Sequence, residues 1–242
     1  MKISVILPTF NEKDSIIPLI TELLAIIQNE TFTPEIILVD DNSPDNTYQE
    51  VITKFGDHPQ VRAFLRRDEK GLATAILFGI RRATGDKVVV MDTDFNHPPK
   101  LIPLLIAITQ YFDIAIGSRY ITGGGMETSR FRYLGSKLFN LYSRITLGIQ
   151  TRDNLSGFFC FNPDIIKEIN QEAVFKGYGD YFIRFLYAMQ RLKKPIIEVP
   201  VVYKDRKGGL SKTNLFKEFG RYTWTVIKTR WSGRQLLAKK PV

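Results

Sequence analysis

Asp86-Lys-Val-Val-Val-Met-Asp-Thr-Asp-Phe-Asn-His-Pro-Pro99 is the stretch whose reading decides the fold. Lys87 to Met91 is a short apolar, β-branched run, the pattern of a strand buried on both faces. Pro98-Pro99 stops any continuation of its ladder. Between them stands Asp92-x-Asp94, with Asn96 two residues further on. The plainer reading of such a pair is two solvated acids in a turn. On a strand that is turning into a loop, however, the two carboxylates converge. Hard oxygen ligands gathered at the carboxyl end of a parallel strand suit Mg²⁺ or Mn²⁺ and leave positions open for phosphate oxygens.

Outward from this stretch, strands and helices alternate at short spacing. Residues 3–7, 36–39, 61–65 and 114–117 read as strands. Helices are expected from Asp14-Ser15, which can cap, to about residue 29, and over 47–55, 71–83 and 101–111. This is the pattern of an α/β chain with a mostly parallel sheet and helices on both faces. In such open sheets ligands bind beyond the carboxyl ends of the strands. Phe10, Asp41 and Asp92/Asp94 all fall at such ends. No Gly-x-Gly-x-x-Gly follows the first strand, so this is not a dinucleotide-binding fold of the usual kind. Gly123-Gly-Gly125 comes later and reads as a flexible loop. Residues 126–150 read as a mobile loop leading into a helix, and 196–203 as a strand. His58 and His97 are too few and too scattered for a zinc site and read as ordinary loop residues. Cys160 lies in an apolar run and reads as core.

The single cysteine excludes a disulfide framework within the chain and fits a reducing compartment. Met1-Lys2 leads straight into strand-like sequence without a secretory signal. No apolar run reaches the roughly 20 residues that a membrane span needs. Net charge is +9 and its location is informative. Eleven Lys/Arg against two acids lie in residues 204–242, while the other 203 residues balance. The whole excess therefore sits in the tail, as it would in a nucleic-acid binder or in a protein that docks on an anionic membrane.

Seven motifs in order carry a family resemblance: Leu7-Pro-Thr-Phe-Asn-Glu12, Val39-Asp-Asp-Asn-Ser-Pro-Asp-Asn-Thr47, Lys70-Gly-Leu72, Val89-Val-Met-Asp-Thr-Asp-Phe-Asn-His-Pro-Pro99, Gly117-Ser-Arg-Tyr120, Ser156-Gly-Phe158 and Arg206-Lys-Gly-Gly-Leu-Ser-Lys212. Together they resemble the family 2 glycosyltransferases, and within them the dolichol-phosphate mannose synthase group. The resemblance implies a GT-A fold and an inverting transfer of a hexose, mannose from GDP-mannose above all, to a polyprenyl or dolichyl phosphate. It implies Mg or Mn on Asp92, Asp94 and Asn96. It implies nucleotide-sugar contacts at Pro8, Phe10, Glu12, Val39, Asp41, Lys70, Asp92, Thr93, Asp94, Arg206 and Lys212. Arg119, Arg132 and Ser136 match positions that bind the acceptor phosphate, and Arg119 joins Asp92 and Asp94 as a candidate for the chemistry itself. The charge that develops on a nucleoside diphosphate leaving group is what a divalent ion would offset.

A polyprenyl phosphate is already an anionic nucleophile and needs no base. The alternative is a family 2 enzyme that uses another nucleotide sugar, such as UDP-glucose, or a hydroxyl acceptor on a glycan or glycolipid. Related enzymes often carry an acid in the region of residues 178–187. Here that position is Arg184, with Asp180 one turn earlier. Asp180 is thus a candidate base for a hydroxyl, and Arg184 a candidate phosphate holder. A basic nucleic-acid-binding module is the third reading. It has no need for Asp92-x-Asp94, so no nucleic-acid partner is expected.

Residues 1–212 are expected to form the catalytic domain and 213–242 a basic amphipathic tail. In that tail Leu215, Phe216, Phe219, Tyr222, Thr223, Val226 and Ile227 fall on one helical side, and Lys217, Glu218, Arg221, Thr225 and Lys228 on the other. Trp224 and Trp231 flank it. A helix packed on its own domain has this pattern, and so has an interfacial membrane helix. The concentrated charge favours a cytoplasmic protein held peripherally at the membrane surface. Nothing in the pattern sets an oligomeric state.

Overall fold

The computed structural model describes residues 1–28, 31–127, 130–203 and 215–238; the side chains of residues 130–132 and 215–218 are excepted. In chain order the elements are β1 (Lys2–Thr9), α1 (Lys13–Ile27), β2 (Thr33–Asp40), α2 (Thr47–Phe55), β3 (Val61–Leu65), α3 (Leu72–Ile80), β4 (Lys87–Val90), α4 (Ile102–Ile108), β5 (Ile114–Ser118), β6 (Gly125–Met126) and α5 (Arg130–Leu147). They continue with β7 (Phe159–Phe161), α6 (Gln171–Val174), α7 (Tyr181–Arg191), β8 (Ile196–Pro200), β9 (Val202–Tyr203) and α8 (Leu215–Ser232).

Seven strands form one sheet in the order β3-β2-β1-β4-β7-β5-β8. All neighbours run parallel except β7, which is antiparallel to both β4 and β5. Alternate residues of each strand feed two separate cores. Ile3, Val5, Leu7 and Val89 pack with α1, α2 and α4 on one face. Ile6, Ile37, Val88, Val90 and Phe159 pack with α3, α5 and α7 on the other. Side-chain alternation with both faces covered is why these strands read as unbroken apolar runs. Each fully buried Val, Ile or Leu contributes about 1.5–3 kcal/mol of transfer free energy.

Several local expectations shift. Asp14 and Ser15 do not cap α1; Glu12 is its N-cap residue, and the Ser15 hydroxyl turns back to donate to the Glu12 carboxylate at 2.9 Å. β4 ends at Val90, although Met91 stays buried and its amide still reaches the Ile6 carbonyl at 3.4 Å. Residues 99–101 form a 3₁₀ turn, so α4 is shorter than the apolar run. Proline at 98 and 99 accounts for that late start. The glycine run is not merely flexible. Gly125 and Met126 pair in parallel with Val202 and Tyr203. A Cβ on Gly124 would lie 2.4 Å from the Ser118 carbonyl oxygen, so the backbone passes too close for any side chain.

α8 packs on α5 and α7 through a face that differs from the expected one. Thr225, Val226 and Thr229 are buried, while Phe219, Trp224, Ile227 and Trp231 are exposed. Threonine at 225 lies inward because its hydroxyl donates to Asp180 at 2.9 Å. Leu215, Phe216, Lys217 and Glu218, together with Arg206 and Lys212, lie outside the described side chains.

Candidate active site

The loops beyond β1 and β2 are locked to each other by short polar side chains. Ser43 donates to Asp40 through its amide and its hydroxyl, at 2.8 and 2.6 Å. Asn11 donates its amide to the Ser43 hydroxyl, and Glu12 donates its own to Thr47. Burial pushes the Asp40 carboxyl up from its ordinary range. Asn11, Asn42 and Asn46 each adopt a left-handed backbone, which asparagine tolerates better than most residues. The Asp-Asp-Asn-Ser-Pro-Asp-Asn-Thr motif is in large part this scaffold.

Asp41 is buried and both of its oxygens are engaged. Arg66 Nε donates to Oδ1 at 2.6 Å, its Nη2 lies 2.6 Å from the same oxygen as an ion pair, and the Gly71 amide donates to Oδ2 at 2.7 Å. Arg66 also reaches Thr74 and the Gly71 carbonyl. Asp41, expected to accept from base or ribose, also ties the Lys70-Gly71-Leu72 turn to the end of β2. Lys70 extends over the half-exposed Phe10 ring, with Nζ 5.4 Å from the centroid. Pro8 and Val39 face each other in the β1–β2 register and are buried, at the carboxyl ends of these strands.

Beyond β4 the chain folds back on itself. Asp94 accepts from the amide and the side-chain nitrogen of Asn96, at 3.1 and 2.9 Å. Asn96 thus anchors Asp94. Phe95 takes a left-handed backbone at φ 63, an unusual conformation for a bulky residue and one that clusters at functional sites. Asp92 keeps 45% of its side chain exposed, and Thr93 beneath it is buried. The chemistry of Asp92 and Asp94, two hard oxygen donors at an accessible strand end, fits a divalent ion that draws its other ligands from phosphate and water. Among the described residues no larger cluster of His, Cys, Asp and Glu offers an alternative.

His97 is the residue that sequence reasoning missed. It is fully buried, stacked on Phe158 at 5.0 Å with 12° between the rings, and tilted against Tyr203 at 4.8 Å. Its Nδ1 accepts the Asp92 amide at 2.8 Å. It is no ordinary loop residue. Tyr203 in turn shares hydrogen bonds with Ser156, whose hydroxyl donates to the Gly117 carbonyl at 2.5 Å. The strand end, Gly117-Ser-Arg-Tyr120 and Ser156-Gly-Phe158 therefore converge on one buried cluster.

Arg119 belongs to that cluster. Nε and Nη2 each donate to Asp153 at 2.7 Å, and the guanidinium lies 4.7 Å from the Tyr203 ring centroid. Two of its nitrogens are thus spent on a buried carboxylate. Tyr120 touches Tyr133 on α5 at 5.2 Å, which brings the half-buried Ser136 close to the same region. The Arg132 side chain lies outside the described atoms, although its backbone is in α5.

Asp180 and Arg184 are each other's partner. Arg184 Nη1 donates to Asp180 at 2.6 Å, and its other nitrogens reach the carbonyls of Val174 and Lys176. Asp180 also accepts the Tyr178 amide and the Thr225 hydroxyl. Burial alone would raise this carboxyl, yet Arg184 and these donors hold it below its ordinary range. The candidate base and the candidate phosphate holder thus engage each other within the fold.

The family model described as glycosyl transferase family 2 matches residues 4–169. The chain belongs to glycosyl transferase family 2. This family 2 chain is 34% identical to an undecaprenyl-phosphate mannosyltransferase of Micrococcus luteus, over 96% of itself and 97% of that protein. It is 36% identical to a dolichol-phosphate mannosyltransferase of Pyrococcus furiosus, over 96% of itself and 65% of that protein's length, so it spans just under two thirds of that relative. A dolichol-phosphate mannosyltransferase of Saccharomyces cerevisiae is 31% identical over 86% of this chain and 80% of its own. Solved structures of glucosyl-3-phosphoglycerate synthase from Mycobacterium tuberculosis, one with Mn²⁺ and UDP-glucose, superpose with a TM-score of 0.70 at 19% identity, covering 95% of this chain and 78% of that one. The family 2 glycosyltransferase has the GT-A fold expected of it.

Proposed function

We propose that this family 2 glycosyltransferase moves mannose from GDP-mannose to a polyprenyl phosphate at a membrane surface. The observation that carries the choice of acceptor is the Asp180–Arg184 pair. A hydroxyl acceptor needs a base, and the one acid in the 178–187 region is buried, charge-paired and held below its ordinary range. A weak base of that kind is poorly suited to proton abstraction at neutral pH. A phosphate oxygen is already an anion. The names of the relatives in Micrococcus, Pyrococcus and Saccharomyces support the same acceptor class and the same sugar.

In this reading Phe10 and Lys70 meet the nucleotide base at the crevice, with Glu12 and Thr93 nearby. Asp92 and Asp94 would hold Mg²⁺ or Mn²⁺, which when bound supplies positive charge beside the diphosphate leaving group. Arg206 and Lys212, which follow β9 in the sequence, serve the diphosphate. Arg132 and Ser136 take the larger share of the acceptor phosphate, because Asp153 already occupies much of Arg119.

The membrane side of the proposal rests on two helices. Leu134, Leu138, Leu141 and Ile145 form one exposed stripe along α5. Trp224, Ile227 and Trp231 are exposed on α8, which packs beside α5 through Phe139 and Phe219 at 5.5 Å. No acidic residue occurs between Glu127 and Asp153 or after Glu218, while basic residues recur in both segments. Exposed apolar side chains among cations without acids suit an anionic lipid surface. Among the described residues no helix is long and apolar enough to cross a membrane.

The test is a donor screen with Mn²⁺ and a short polyprenyl phosphate, following release of nucleoside diphosphate. GDP-mannose should release GDP only when the lipid phosphate is present. Faster release from UDP-glucose with a glycan hydroxyl acceptor would favour the alternative reading.

A further inference from the structure

Tyr181 opens α7 and is only 2% exposed. Its ring is held on two sides. It stacks on the buried Phe175, with centroids 5.7 Å apart and 24° between the planes, and meets Phe182 edge-on at 6.1 Å. A phenylalanine would pack there equally well, so the hydroxyl is the part of this residue that packing does not explain. Buried tyrosine hydroxyls usually find a hydrogen-bond partner. This one has none among the described residues. Its surroundings indicate what would complete it. Gly157, at φ 70, lies beside it: a Cβ there would stand 3.8 Å from Oη and 3.9 Å from His97 Cε1, both ordinary contact distances. Room for a small group is thus open next to the hydroxyl, in the Ser156-Gly-Phe158 turn that converges on the end of β4. The ionisable groups around Oη are the Asp92 carboxylate and the phenols of Tyr203 and Tyr222. Burial first, and then Asp92, raise the Tyr181 phenol well above its ordinary range, so it stays protonated and can donate. Among the described residues no arginine or lysine acts on it. A phosphate oxygen placed here would face a carboxylate with no side-chain cation to offset it, whereas the hydroxyl of a neutral sugar bears no such cost.

We propose that Tyr181 is a specificity contact for the transferred hexose, its Oη donating to one sugar hydroxyl of the bound nucleotide sugar beside Asp92. The inference rests on the reading of the donor as GDP-mannose held at the ends of β1, β2 and β4. A site built to bond a substrate hydroxyl rejects an analogue that lacks it, because its own polar group is then left unpaired. Tyr181→Phe removes one oxygen and keeps the ring, its stacking on Phe175 and the volume of the core.

The experiment is calorimetry on the full chain, wild type and Tyr181→Phe, with Mn²⁺ present and with GDP and GDP-mannose as separate ligands, beside thermal unfolding of both proteins. Tyr181→Phe should unfold near the wild-type temperature, bind GDP as the wild type does, and bind GDP-mannose about 5- to 30-fold more weakly. A second arm uses GDP-mannose analogues that each lack one sugar hydroxyl. One analogue should bind the wild type poorly yet bind Tyr181→Phe no worse than GDP-mannose does, since the same bond is missing in both. Equal losses for GDP and GDP-mannose, or losses that add for every analogue, overturn the inference. Unchanged donor affinity with a raised KM for polyprenyl phosphate also overturns it and gives the hydroxyl to the acceptor. Wild-type behaviour throughout makes Tyr181 a core residue. A wild type that binds another nucleotide sugar in place of GDP-mannose defeats the donor reading alone; the same comparison, made with that nucleotide sugar and its nucleoside diphosphate, then decides the Tyr181 contact.

Discussion

Asp180→Asn separates a structural charge pair from a catalytic base. Asp180 and Arg184 retain only 4% and 6% of their side-chain exposure, and their 2.6 Å contact joins the first turn of α7 to the underside of α8 through Thr225. Removal of one charge leaves the other buried without compensation, at a cost of about 3–5 kcal/mol. In a domain of this size each kcal/mol moves Tm by about 2–4 °C, so the midpoint should fall by about 6–20 °C. A carboxylate acting as general base would instead contribute about 10²- to 10⁴-fold to turnover. The assay pairs thermal unfolding with transfer to a polyprenyl phosphate measured well below the lowered midpoint. The structure predicts a large loss of stability with kcat reduced by less than tenfold. An unchanged Tm together with a loss of about 10³-fold in kcat would refute the reasoning and restore Asp180 as a base.

Other perturbations reach other parts of the molecule. Asp92→Asn and Asp94→Asn should each abolish transfer with unfolding unchanged; full activity in either, or in excess chelator, would count against the metal pair. Trp224→Ser with Trp231→Ser should weaken co-sedimentation with anionic vesicles while GDP binding persists, and high salt should release the wild type; a wild type that ignores such vesicles at low salt defeats the membrane proposal. Glu35, buried under β1, has its carboxyl lowered to about 2, because the Ser4 and Thr84 donors outweigh the burial that would raise it. Its folded pKa is depressed, so its contribution of about 3 kcal/mol is present above pH 4.5 and is lost as pH falls through about 2. Denaturant titrations of Glu35→Gln between pH 6 and 2 should show a flatter acid limb than wild type.

What was legible in the sequence follows from the physics of each element. Parallel strands covered on both faces, such as Val88-Val89-Val90, announce themselves as apolar runs, and their carboxyl ends locate the crevice without further help. The antiparallel β7 has no such sign, because three apolar residues carry no mark of strand direction. Residue type indicated that Asp41 and Arg119 belong near the site but not that Arg66 and Asp153 already hold them, since those partners are distant in sequence. The same holds for His97, whose burial depends on Phe158 and Tyr203. Helical periodicity placed Thr225 on the polar side of α8. A buried carboxylate reversed that, because a threonine can satisfy it while still packing.

Acceptor choice is the centre of the account, and mass spectrometry of the lipid product measures it directly. The chain is incubated with GDP-mannose, Mn²⁺ and an equal mixture of a short polyprenyl phosphate and the matching polyprenol. The account predicts mannosyl phosphopolyprenol, formed only with cation present, and no mannosyl polyprenol. Mannose on the free alcohol, with the lipid phosphate untouched, would contradict it.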